Sequence, residues 1–306
     1  SSKITGTRTK WWADRQIFDP SATFDMEALR DRARQTAFLV PGLAINLHDL
    51  RTDAQAPTEV FRFEGGIASF CEHLATDEPV TNIVRLTGDG TFQETVPMLD
   101  EQGHMTPREV ERAMHVDIAM RWGTGYDSDV RTFVNIIATP KGGTHLTGFE
   151  RSITKVFNEQ LRAQRTLKAS EDNVTKDDVL EGIVAVVTVR LPEPQFEGQT
   201  KEVLGTPAVT RIVANVVQQE LTNWFTSPPR GDKQSTKLVL EKVANAMRTR
   251  VAARAHRDTQ RRKTALESSA LPAAAAPSRR AIARPRRSSR FAARSSMCRS
   301  RRWPTC

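Results

Sequence analysis

Strand-like and helix-like patterns mix along this chain of 306 residues without a regular β-α-β order, which predicts an α+β fold. Three stretches carry that expectation. Val116, Ile118, Met120 and Trp122 alternate with polar residues, as a half-buried strand does. Residues 183–189, Ile-Val-Ala-Val-Val-Thr-Val, read as an apolar strand. Residues 148–165 set Phe149, Ile153, Val156, Phe157 and Leu161 at helical spacing.

Taken in order, residues 6–12 read as a strand and 25–38 as an amphipathic helix with Met26, Leu29, Ala33 and Ala37 on one face. Pro41-Gly42 breaks that helix, and 43–47 alternates as a strand. The polar stretch 51–58, with Pro57, reads as a linker. Gly65-Gly66 leads into a short helix over 67–74. Strands at 83–86 and 91–96 are joined by a turn at Gly88-Asp89-Gly90. The strand holding Val116 to Trp122 takes 132–139 as its hairpin partner across a turn at 123–129. Thr175, with Asp178 three residues on, caps a helical start over 175–181 that runs into the strand 183–189. Thr206-Pro207 opens a helix carrying Val209, Ile212, Val213, Val216, Val217 and Leu221, stopped by Pro228-Pro229-Arg230-Gly231. A last long helix spans 235–269, apolar at Leu238, Val243, Met247 and Val251 and increasingly basic after Arg248.

The length suggests about two domains. The net charge of +9 belongs to the C-terminus: residues 272–306 hold ten Arg and no Lys, Asp or Glu, which leaves 1–271 near −1. Any electrostatic case for nucleic acid binding from the pI therefore concerns the tail. Cys71, Cys298 and Cys306 form no disulfide or metal pattern, so a reducing, cytoplasmic setting is expected. Neither a membrane span nor a secretory leader is visible. Starting at Ser1 without Met, the chain reads as a processed or incomplete product.

Gly198-Gln199-Thr200-Lys201 sets an amide and an ammonium two residues apart on a loop between a strand and a helix, where both can face one anion. A solvated loop Lys is the plain alternative. Tyr126-Asp127-Ser128-Asp129 pairs two carboxylates with an aromatic ring, but Asp and Ser also serve turn backbone directly. Pro140-Lys141-Gly142-Gly143-Thr144-His145 is Gly-rich without the phosphate-loop spacing, so it reads as a turn into the helix at 148. His48, His73, His104, His115 and His256 show no metal-ligand spacing. Arg248, Arg250, Arg254, Arg257, Arg261, Arg262 and Lys263 crowd one helix, which fits either a solvated face or contact with a phosphate backbone. The Arg/Ala/Ser/Pro tail fits a disordered nucleic-acid-binding arm or an out-of-frame translation, the latter favoured by the abrupt change.

Several motifs in register resemble one family. They are Gly6-Thr7-Arg8-Thr9-Lys10-Trp11-Trp12-Ala13-Asp14, Arg34-Gln35-Thr36-Ala37-Phe38-Leu39, Phe63-Glu64-Gly65-Gly66-Ile67, the Pro140 to His145 run with Gly148-Phe149, Asp177-Asp178 with Glu181-Gly182, Gln199-Thr200-Lys201, and Arg261-Arg262-Lys263-Thr264-Ala265-Leu266. From Gly6 to Leu271 the chain resembles an internal fragment of the ATPase subunit (the B subunit) of bacterial type IIA DNA topoisomerases, DNA gyrase and topoisomerase IV.

That resemblance implies the end of a Bergerat-type ATPase domain over 1–55 and a transducer domain over 56–234, similar to domain 2 of ribosomal protein S5. It further implies a basic exit helix over 235–271, before the disordered tail 272–306. It implies that Gln199 and Lys201 contact the γ-phosphate of ATP held mostly by residues outside this chain. The Arg248 to Lys263 cations would contact DNA. No catalytic residue is expected here, since the DNA-cleaving Tyr lies on the partner subunit. The whole enzyme would use ATP and Mg2+, an A subunit in an A2B2 heterotetramer, and ATP-driven dimerisation of the ATPase subunit, in the cytoplasm at the nucleoid. Two alternatives stand beside this: a non-enzymatic basic nucleic-acid-binding protein, and a transducer of a mismatch-repair or chaperone relative.

Overall fold

The computed structural model describes residues 6–19, 21–50, 58–99 and 104–270. The expected tail at 272–306 and nearly all of the expected linker at 51–58 lie outside them. The chain divides into two units, Ser1–Arg254 and Ala255–Cys306.

A five-stranded sheet of order β3-β4-β7-β5-β6 organises the first unit. Its strands are β3 (Val84–Leu99), β4 (Met105–Trp122), β5 (Asp129–Val134), β6 (Ile137–Ala138) and β7 (Ile183–Arg190). β7 is central because its side chains are apolar on both faces, and every one from Ile183 to Val189 is buried. Ile183, Ala185, Val187 and Val189 join Val116, Ile118, Met120 and Trp122 of β4 under α3 (Thr144–Ala163) and α5 (Ala208–Thr226). Val184 and Val186 face the opposite way. With Ala119 and Phe133 they meet α1 (Met26–Leu39) and α2 (Gly66–Leu74) through Phe38, Leu39, Ile67, Phe70 and Cys71. The sheet is therefore covered on both faces. A separate two-stranded ladder joins β1 (Ile45–Leu47) to β2 (Glu59–Phe61).

Three strand expectations fail, the first two for reasons of packing. Residues 83–96 contain no turn: β3 runs straight through Gly88 and Gly90, paired with β4 along its whole length. Those glycines admit α5, since a Cβ at Gly88 would lie 2.8 Å from Val216 Cγ2 and one at Gly90 2.4 Å from Ile212 Cγ2. Nor is β5 a hairpin partner of β4. It pairs in parallel with β7, Thr132 opposite Val187, and the crossover through α3 and α4 (Lys176–Leu180) supplies the length a parallel connection needs. Residues 6–12 form no strand either; they have no ladder partner among the described residues, and Trp11 packs against Phe24 at 5.7 Å.

The helices stand close to where their caps predict. Asp25 caps α1 by accepting from the backbone N–H groups of Glu27 and Ala28. The predicted apolar face is only half used: α1 buries Ala37, Phe38 and Leu39, whereas Leu29 stays exposed. The capping box at α4 is formed, with Thr175 N–H donating to Asp178 Oδ2 at 2.7 Å. The final helix α6 (Lys233–Ala270) anchors in the main core through Val239, Leu240, Val243, Ala244 and Met247, while Leu238 faces out.

Candidate functional site

Gln199 and Lys201 lie at the tip of a narrow loop whose two limbs are tied together. Glu197 N–H donates to the Val203 carbonyl at 2.9 Å, and Gly205 N–H to the Gln195 carbonyl at 2.8 Å. The tip closes with Lys201 N–H donating to the Gly198 carbonyl at 3.3 Å. Gly198 at φ +90° takes the left-handed backbone at no steric cost, whereas Lys201 adopts it with a φ of 56°. A non-glycine residue held there stores of the order of 1 kcal/mol, which the paired limbs must offset.

The returning limb is sandwiched against a second turn. Leu204 N–H donates to the Gly142 carbonyl, Thr144 N–H to the Leu204 carbonyl and Lys141 N–H to the Glu202 carbonyl, at 3.1, 2.9 and 3.3 Å. Gly143, at φ +131°, has no room for a side chain: a Cβ would stand 2.4 Å from the Leu204 carbonyl oxygen. The Gly-rich run thus serves as a backbone clamp on the Gln199–Lys201 loop. It continues directly into α3, so the loop is coupled to the helix that covers the sheet.

His145 sits fully buried at that junction, its Nε2 3.1 Å from Thr139 Oγ1. Its Nδ1 and the neighbouring Thr144 Oγ1 have no protein partner, and burial pushes the imidazole pKa down to about 4. The ring is therefore held neutral in the interior at ordinary pH. Cys71 is equally inert, since burial raises its thiol to about 12.

Charge pairing separates the lysines and arginines of interest. Lys141 Nζ donates to Glu202 Oε2 at 2.7 Å. Among the described residues Lys201 makes no ion pair; its ammonium lies 5.9 Å from the Phe196 ring centroid. On α6, Arg248 Nε donates to Glu171 Oε1 at 2.8 Å, and Arg250 Nε to Asp178 Oδ1 at 2.8 Å. The hydrogen bond from Arg248 leads in holding the Glu171 carboxyl down at about 2. The Asp178 carboxyl is also lowered: its burial works against ionisation, but the Arg250 and Thr175 hydrogen bonds outweigh that. Arg254, Arg257, Arg261, Arg262 and Lys263 are exposed. Sequence spacing could not reveal the Lys141, Arg248 and Arg250 pairs, whose partners lie 61, 77 and 72 residues away.

The carboxylates at 126–129 hold no special site. Asp129 pairs with Arg131, and the turn itself is held by Asp77, which accepts from Gly125 N–H at 2.8 Å. Among the described residues no group of three or more His, Cys, Asp or Glu could hold a metal ion. No described helix is long and apolar enough to cross a membrane.

Comparison with known proteins places this architecture. The family described as DNA gyrase B matches residues 66–259. The DNA gyrase B protein of Mycobacterium bovis is 33% identical over 89% of this chain, and that of Streptomyces coelicolor 35% identical over 89%. The chain spans 39% of the length of each. Among solved structures, the 43K ATPase domain of Thermus thermophilus gyrase B, in complex with an aminocoumarin, is similar with a TM-score of 0.60. It is 31% identical, over 80% of this chain and 59% of that one. The family match runs from α2 through the sheet and into α6, more than half of the chain, so the chain belongs to the DNA gyrase B family.

Proposed function

We propose that this chain is the transducing portion of the ATPase subunit of a type IIA DNA topoisomerase. In this reading residues 1–55 close the nucleotide domain, 56–234 form the transducer and 235–271 the exit helix. The observation that carries it is the Gln199–Lys201 loop: an exposed amide, and an ammonium with no carboxylate partner among the described residues, on a tip clamped to the Gly142–Thr144 turn. Such a pair fits an anionic oxygen arriving from a neighbouring domain. ATP, when bound, supplies the terminal phosphoryl group whose presence or loss the loop reports.

Lys201 offsets the negative charge on that group while Gln199 donates a hydrogen bond to it. Loss of the group removes the anion that holds the ammonium, and the loop is released. Because the loop is bonded to the turn that starts α3, its release frees the sheet and its covering helices to move as one body against the nucleotide domain. Mg2+ would accompany the nucleotide, but the described residues offer no ligand set for it and no step is assigned to it.

Arg254, Arg261, Arg262 and Lys263 are proposed to contact the backbone of a DNA duplex, and contribute through charge rather than base reading. Arg248 and Arg250, already paired, are assigned to structure instead. The partners in this reading are an A subunit in an A2B2 heterotetramer and a second copy of the ATPase subunit, in the cytoplasm. In the full-length protein, Gln199→Ala with Lys201→Met is expected to cut ATP turnover about 100-fold or more while nucleotide binding persists. Unchanged turnover would contradict the reading.

A further inference from the structure

Lys201 is flanked on the same tip by an acidic neighbour, Glu202. A carboxylate one residue away is the natural competitor for an ammonium that must stay available to a phosphate. The structure resolves that competition from outside the loop. Lys141 Nζ sits 2.7 Å from Glu202 Oε2, and Thr200 Oγ1 donates to the same oxygen at 3.2 Å. The Lys141 backbone N–H also reaches the Glu202 carbonyl at 3.3 Å, so backbone and side chain grip one residue. Glu202 is half-buried, while Lys141 is mostly exposed.

We infer that Lys141 is a positioning residue: by occupying Glu202 it keeps the Lys201 ammonium unpaired and presented at the loop tip. This rests on the proposed role of Lys201 as the phosphate contact. Without Lys141, an uncompensated carboxylate would remain beside Lys201. The shortest way to neutralise it is for Lys201 to fold back, away from the Phe196 ring and the tip. The consequence is specific. Removing the positive charge at Lys141 should draw the Lys201 ammonium into a pair with Glu202 and so withdraw it from the tip.

The test uses the 306-residue chain without nucleotide, so it stays separate from the phosphate reading. Trace acylation at about pH 8, read by peptide mass spectrometry, reports the free-amine reactivity of each lysine, which falls when an ammonium is paired. Lys141→Met is expected to lower Lys201 reactivity about threefold, the scale of an exposed pair. Lys141→Arg keeps the charge and should leave Lys201 at its wild-type rate. Lys141→Met combined with Glu202→Gln should restore that rate, which a merely structural role for Lys141 would not. Unchanged Lys201 reactivity in Lys141→Met, or failure of the double substitution to restore it, would overturn the inference. If Lys201 proves irrelevant to ATP turnover while these rates behave as described, the phosphate reading fails and the pairing stands.

Discussion

The two charged stretches of α6 look alike in composition and differ in what surrounds them. Up to Met247 one face of the helix packs into the main core, and the next two arginines on it meet carboxylates from α4 and from the loop before it. From Ala252 to Thr264 every residue is exposed. The lesson is that a run of Arg on a helix cannot be assigned a role as a block. Arg250 reaches Asp178, which is nearly fully buried, and so belongs to the fold. Arg261, Arg262 and Lys263 are exposed. The same division separates Lys141 from Lys201 on adjacent loops.

Substitutions in the two stretches should therefore fail in different assays. The largest effect is expected for Arg261→Ala with Arg262→Ala and Lys263→Ala. Duplex affinity of the chain should fall by roughly 10- to 100-fold, and the slope of log affinity against log salt should become shallower by about 2.7. The additional charge of the tail does not alter that difference. Fluorescence anisotropy at several salt concentrations measures it, and an unchanged slope would break the comparison.

A smaller effect is expected for Arg250→Ala, which leaves a buried carboxylate short of its partner. Chemical denaturation should show a loss of about 1–2 kcal/mol, discounted for the part of the guanidinium that remains in water. The salt slope for DNA should not change. The smallest effect is a pH window. Glu171 is held at about 2 against an ordinary 4.5, so its contribution is complete above about 4.5 and fades as pH falls towards 2. Asp178, also lowered, adds to the loss in the same direction. Thermal melts of Glu171→Gln should therefore show a shallower fall in Tm across that acid range than the wild type shows.

Much of the fold was legible because local rules agreed with packing. The β7 run, the Thr175–Asp178 box and the apolar spacing of α3 and α5 all mark elements found in place. Strand partners were not legible. Gly88 and Gly90 look like turn residues until Ile212 and Val216 are seen to need their missing side chains. The stretch 132–139 likewise reads as one strand, whereas it turns back at Asn135-Ile136 into β5 and β6, and β5 takes β7 as its neighbour. The candidate site divides the same way: type and spacing leave Gln199 and Lys201 beside the plain reading of a solvated loop, and the resemblance singles them out. Glu202, Lys141 and the clamp at Gly143 depend on a contact across 61 residues that no local window contains.

In the proposed function Lys201 meets a terminal phosphate. It is tested most directly by trace acylation of Lys201 in the full-length protein, with a non-hydrolysable ATP analogue or with ADP. A charge-assisted contact predicts about tenfold protection of Lys201 by the ATP analogue, little by ADP, and none of Lys141 by either. Equal protection by both nucleotides, or none by either, would contradict it.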